Sequence, residues 1–161
     1  MARRGVPIDW DDLEIALTTH MDEWASYLDL RTGKVRMVHL YPFRDEDDEL
    51  SEDEVEAGLA KPYLVRIDPL PSSVEYRWMV QFAASVTDPH LGDLLEVALH
   101  GRGAFGRFKR VLADHPAERA RWFTLRDQRL RGAIQEWLAD HDIEPTTKPP
   151  ERKDEGTYDR R

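Results

Sequence analysis

From Ser72 onward the apolar residues fall at intervals of three and four, the period of an α-helix that buries one side. Val74, Trp78 or Met79, Phe82, Ala83 and Val86 form one such stripe, and Leu91, Leu94, Leu95, Ala98 and Leu99 a second. Phe105, Phe108, Val111 and Leu112 form a third; Trp122, Phe123, Leu130, Ala133, Ile134, Trp137 and Leu138 form a fourth. Each is bounded by helix punctuation at Ser72, Asp88-Pro89, Gly101 to Gly103 and Pro116. This half of the chain is thereby confined to a bundle of about four helices.

Before Ser72 the signals are those of strands and one helix. Asp9 is placed as an N-cap, with Ile8 and Leu13 as a hydrophobic staple, for a helix running to about His20. The β-forming runs Trp24–Arg31 and Val35–Tyr41 flank Thr32-Gly33, where glycine supplies the positive φ of a tight hairpin turn. Tyr63–Ile67 reads as a third strand, ended by Asp68-Pro69-Leu70-Pro71. The expected class is α+β: a small antiparallel sheet of about three strands, a hairpin plus one, packed against an N-terminal helix and the C-terminal bundle.

A length of 161 residues with 40% hydrophobic content suits one domain, expected over 1–143. From Glu144, Pro, Lys, Glu and Thr alternate without periodicity, which reads as a disordered charged tail over 144–161. No apolar run is long enough to cross a bilayer and no apolar signal core follows Met1, so a cytoplasmic protein without membrane contact is expected. The absence of cysteine excludes disulfides, thiol catalysis and thiolate metal sites.

The net charge of -9 is unevenly distributed. Residues 1–88 carry 9 Lys+Arg against 19 Asp+Glu, while residues 101–131 carry 9 against 3. An acidic total argues against coating nucleic acid non-specifically, yet a local basic face can still meet phosphate. The acids concentrate in 45–56, nine in twelve positions. Their spacing imitates a calcium loop, but Leu50 stands where the sharp turn requires glycine. Ser51 and Glu54 instead suit a capping box opening a short helix to about Ala60.

The stretch Gly101–Arg110 holds three glycines, two phenylalanines and four basic residues. A helix is expected to start near Gly103 or Ala104, leaving first-turn amides free beside cations, an arrangement that favours a bound anion. The candidate anion-binding residues are Arg102, Gly103, Ala104, Phe105, Arg107 and Lys109. Arg126 joins them because it lies beside the buried stripe of the last helix and needs a partner, a carboxylate or a ligand. Gly101-x-Gly103-x-x-Gly106 also spells a dinucleotide fingerprint, but a helix rather than a strand precedes it. His39 stands alone on its strand, where a histidine is more often structural than catalytic.

Leu28-Asp29-Leu30-x-Thr32-Gly33-x-Val35, Met79-x-x-Phe82, Gly101-x-Gly103-Ala104-Phe105-x-x-Phe108-Lys109, Trp122-Phe123 and Trp137-Leu138 together resemble a bacterial family known as uncharacterised protein family 0158, over roughly Trp10 to Ile143. The resemblance implies a cytosolic bacterial protein and carries no activity, cofactor or catalytic residue. Nor does the sequence show a His-Glu metal motif, nucleophile elbow, phosphate loop or paired catalytic carboxylates. The expectation is a non-enzymatic binding protein with no cofactor and no metal, whose partner is a nucleic acid or a nucleotide. The alternative is a protein-interaction or immunity-type module using residues 45–56 against a basic protein partner.

Overall fold

A computed structural model describes residues 3–40 and 52–150. The fold is mixed α+β, with the helices mostly in the C-terminal half. Contacts group it into two compact units, one built from the chain up to Leu70 and again from Ala133, the other from Pro71–Gly132.

In the first unit, helix α1 (Trp10–Thr18) begins at Asp9, whose side chain accepts from the amide of Asp12 at 3.2 Å. Trp10, Leu13, Ala16 and Leu17 are its buried face, and both staple residues, Ile8 and Leu13, are in the same core. Strands β2 (Trp24–Asp29) and β3 (Val35–His39) form the expected hairpin, in register from Trp24 opposite His39 to Leu28 opposite Val35. Strand β4 (Leu64–Ile67) pairs antiparallel with the other edge of β2, giving the order β3-β2-β4. Alternation sends Leu28 and Ile67 to the α1 core and Ala25, Tyr27, Val38 and Leu64 to the opposite face. Helix α2 (Glu52–Ala60) supplies Val55 to that second face, and Gly58 admits Leu64 so closely that a Cβ there would lie 2.3 Å from Leu64 Cδ1. Ser51 and the acidic run before it lie outside the described residues.

The hairpin turn is organised by Asp29, the buried charge among the described residues at 1% exposure. Its carboxylate accepts from the Arg31 amide at 2.9 Å and from Arg31 Nε and Nη2 at 3.0 and 2.9 Å, with Arg36 Nη1 3.6 Å away. Its carbonyl accepts from the amides of Thr32 and Gly33. These hydrogen bonds from Arg31 hold the Asp29 carboxyl below the usual carboxylate range against the opposing effect of burial, and they raise the Arg31 guanidinium in turn. The Arg31 guanidinium also lies 3.8 Å over the Tyr63 ring. Gly33 takes φ 78° and approaches the N-terminal segment so closely that a Cβ would lie 2.0 Å from the Pro7 carbonyl oxygen.

A second, parallel pair was not anticipated. Strand β1 (Arg4–Val6) runs beside β5 (Ile143–Pro145), and the join continues beyond it. The amide of Thr146 donates to Val6 at 2.9 Å, the hydroxyl of Thr147 to the Ile8 carbonyl at 2.6 Å, and the indole of Trp10 to the Thr147 carbonyl at 3.2 Å. Residues 144–147, assigned to a tail on composition, therefore belong to the ordered chain, because strand pairing satisfies their backbone where no hydrophobic period announces it. Residues 151–161 lie outside the described residues.

The second unit is helical. Helix α3 (Ser72–Ser85) starts after Pro71 without a side-chain cap, so Ser72 and Glu75 do not form the capping box their spacing suggests. Helix α4 (Pro89–Ala98) is capped by Asp88, which accepts from His90 and Leu91. Helix α5 (Ala104–Ala113) follows two glycines at φ 79°, Gly101 and Gly103, and helix α6 (Pro116–Asp140) runs from this unit into the first. Phe82, Phe108 and Trp122 meet edge to face, with ring centroids 5.1 to 6.1 Å apart. Such contacts add about 0.5–1.5 kcal/mol per pair beyond area burial.

Candidate functional site

The corner between α4 and α5 has the backbone expected for an anion seat, but one of its cations serves the protein itself. Gly103 is the left-handed N-cap of α5 and has no side chain to occupy the first-turn amides. The Arg107 guanidinium folds back under the corner. It donates through Nε to the Ala98 carbonyl at 3.0 Å, through Nη1 to Arg102, and through Nη2 to His100 and, at 3.5 Å, Gly101. These are carbonyls that the end of α4 leaves without helical partners. Arg107 thus closes a helix C-terminus, and its donors are committed there. Arg102 and Gly103 are exposed, Phe105 is half-buried and Ala104 is buried at the start of the α5 apolar face.

One turn further on, the cations converge. Phe108 and Leu112 face the core, which places Lys109 and Arg110 on the exposed flank of α5. On α6, Arg119, Trp122, Phe123 and Arg126 recur at three, four and seven residues and so share a side. Between these faces lies a cleft of about 320 Å³, lined by Lys109, Arg110, Leu112, Ala113, Arg119, Trp122, Phe123 and Arg126, with Glu75 of α3 completing it. Four basic side chains face a single carboxylate.

Arg126 Nε donates to Glu75 Oε1 at 2.8 Å, the carboxylate pairing that its position beside the buried stripe demanded. Arg119 lies with its guanidinium carbon 5.1 Å over the Phe123 ring. By contrast, Arg121 points elsewhere, 4.4 Å over the Phe82 ring and bonded to Glu118 and the Ser85 hydroxyl. The cleft therefore presents a basic wall beside the half-buried Phe123 ring, with Trp122 only 2% exposed at its base, an arrangement suited to an anion.

Of the residues selected from the sequence, Lys109 and Arg126 line this cleft, while Arg102, Gly103, Ala104, Phe105 and Arg107 belong to the corner. Sequence reasoning missed Arg110, Arg119, Trp122 and Phe123 as lining residues. The signal was Arg119-x-x-Trp122-Phe123-x-x-Arg126, an aromatic pair with a cation one turn to either side. In the first unit, His39 packs edge to face against Trp24 at 4.8 Å, with Glu23 3.8 Å away. Among the described residues no three His, Asp or Glu side chains gather to hold a metal ion, and no helix is long and apolar enough to cross a membrane.

The sequence profile of the family described as Uncharacterised protein family (UPF0158) matches residues 5–153. The chain is 34% identical over 145 residues to UPF0158 protein PA5073 of Pseudomonas aeruginosa, covering 90% of each chain. No solved structure matches.

Proposed function

Since the chain belongs to uncharacterised protein family 0158, whose name carries no chemistry, we propose from the geometry that it is a non-enzymatic binding protein whose α5–α6 cleft takes a phosphate-bearing ligand, a nucleotide or a nucleotide unit of a nucleic acid. The observation that carries this is the convergence of Lys109, Arg110, Arg119 and Arg126 on one cleft beside Trp122 and Phe123. Phosphate is the anion that guanidinium groups grip most effectively, through paired N–H donors, and the half-buried Phe123 is the aromatic ring beside which a base would lie. A cleft of about 320 Å³ falls at the lower end of the range for small-ligand pockets, roughly 300–1,000 Å³. The free amides at Gly103 and the side chain of Arg102 extend the positive surface without being needed for the cleft itself.

The test is titration with labelled nucleotides, single-stranded DNA and RNA at two salt concentrations. Binding should weaken with salt, since each phosphate neutralised releases counterions. Lys109→Glu and Arg119→Glu should each abolish most of it, whereas Arg121→Glu, outside the cleft, should abolish little. Binding that ignores salt, or that survives the two cleft reversals, removes the proposal.

A further inference from the structure

The first unit carries a second opening with the opposite character. Between α1 and the face of β2 and β3 lies a trough of about 550 Å³ floored by Trp24, Val35, Met37 and Ile67. Its lips are apolar and exposed: Ile15 at 53%, Met21 at 42% and Leu40 at 49%. Large apolar side chains left in water on three separate segments around one opening mark a surface that something covers. The charged groups lining the trough are Asp12, Asp22 and Asp68 against Arg66, whose Nε already lies 3.4 Å from Asp68 Oδ1; His20 completes the polar rim.

We propose that this trough receives a basic amphipathic segment of a partner protein, its apolar side chains seated over Trp24 and Met37 and its Lys or Arg residues beside Asp22 and Asp68. The acidic excess on the rim selects a cationic segment over an acidic one. The openness of the lips fits a segment lying along the trough, as amphipathic helices lie in grooves. Two methionines, Met37 on the floor and Met21 on a lip, are unbranched and polarisable and suit a trough that adapts to more than one apolar pattern.

Peroxide footprinting read by mass spectrometry tests this on the full-length wild-type protein. Met21 and Met37 report on the trough, and Met79, 2% exposed in the second unit, is the internal control. A synthetic amphipathic helix of leucine and lysine should slow oxidation of Met21 and Met37 and leave Met79 unchanged, while its leucine–glutamate counterpart should protect neither. Asp22→Lys with Asp68→Lys, both at exposed positions, should weaken the lysine peptide by about tenfold or more. Equal protection by the two peptides, protection that survives the charge reversal, or no protection at all overturns the proposal. So does a free protein that sediments as a dimer with both methionines already shielded, since a second copy would then be the occupant.

Discussion

Replacing Gly33 by alanine should destabilise the first unit by about 3 kcal/mol, and the sum can be assembled from the turn. Holding a Cβ-bearing residue in the left-handed region costs about 1 kcal/mol or a little more. The added carbon would then stand 2.0 Å from the Pro7 carbonyl oxygen and 3.1 Å from the Ile8 nitrogen, so the backbone of this segment must retreat by more than 1 Å. That retreat breaks the bond from the Asp9 amide to the Gly33 carbonyl, 3.1 Å long, a loss of about 1 kcal/mol. It also drags Ile8, which is 2% exposed, out of its packing, for about 1 kcal/mol more.

The comparison that isolates the close approach is Gly101→Ala. Gly101 has φ 79° with no atom within 4 Å of its notional Cβ, so the conformational cost of about 1 kcal/mol stands alone. Gly106, helical and equally open, should gain about 0.5–1 kcal/mol as alanine. Urea unfolding followed by circular dichroism and tryptophan fluorescence gives the three values, each unit fitted with its own transition if two are resolved. In a thermal scan Gly33→Ala should lose roughly 10–25 °C, taking 4–8 °C per kcal/mol for a unit of this size. If Gly33→Ala costs no more than Gly101→Ala, the contact with Pro7 is not what constrains the turn.

Asp29→Asn should cost about 1–3 kcal/mol near neutral pH by removing a charge-assisted pairing from a buried site, measured by urea titration. Because the folded state holds the Asp29 carboxyl below its ordinary range, its contribution is complete above the usual aspartate pKa and disappears as acid passes the lowered folded value. The gap between wild type and Asp29→Asn should therefore close on acidification below about pH 4. Arg107→Lys should destabilise the second unit by about 1–2 kcal/mol, since an ammonium lacks the planar fork that serves the Ala98, His100 and Arg102 carbonyls together. Faster amide exchange at the end of α4 would confirm the location. Phe108→Ala should cost about 3–5 kcal/mol through the cavity left between Phe82 and Trp122, read as a shift in the urea midpoint.

What could be read from the chain beforehand was whatever is decided within a few residues. The Asp9 cap, the hairpin around Gly33, the Asp88-Pro89 start of α4 and the glycine entry to α5 all depend on neighbours in sequence, and each lies where those neighbours placed it. The errors share one cause, a distant partner competing with a local one. Glu75 was positioned to cap α3 with Ser72, but Arg126, fifty-one residues on, takes its carboxylate. Arg107 looked like a cation awaiting an anion because the unsatisfied carbonyls at the end of α4 have no sequence signature. Strands β1 and β5 were invisible because each is three residues long and the other lies at the far end of the chain. The cleft was half legible: Lys109 and Arg126 were singled out, whereas Trp122 and Phe123 were absorbed into the apolar stripe of the last helix, which conceals that both border the cleft.

The pairing of Arg4–Val6 with Ile143–Pro145 sets an order of events during synthesis. The helices between Pro71 and Gly132 form an uninterrupted stretch and can close as soon as they leave the ribosome, whereas the sheet unit that was made first must wait for Ile134, Leu138 and Ile143 to complete its core. The usual precedence of the amino-terminal domain is inverted. A nascent chain that has cleared the ribosome only as far as Gly132 would therefore already hold a structured middle while the α1 side of its first unit still lacked Ile134, Leu138 and Ile143.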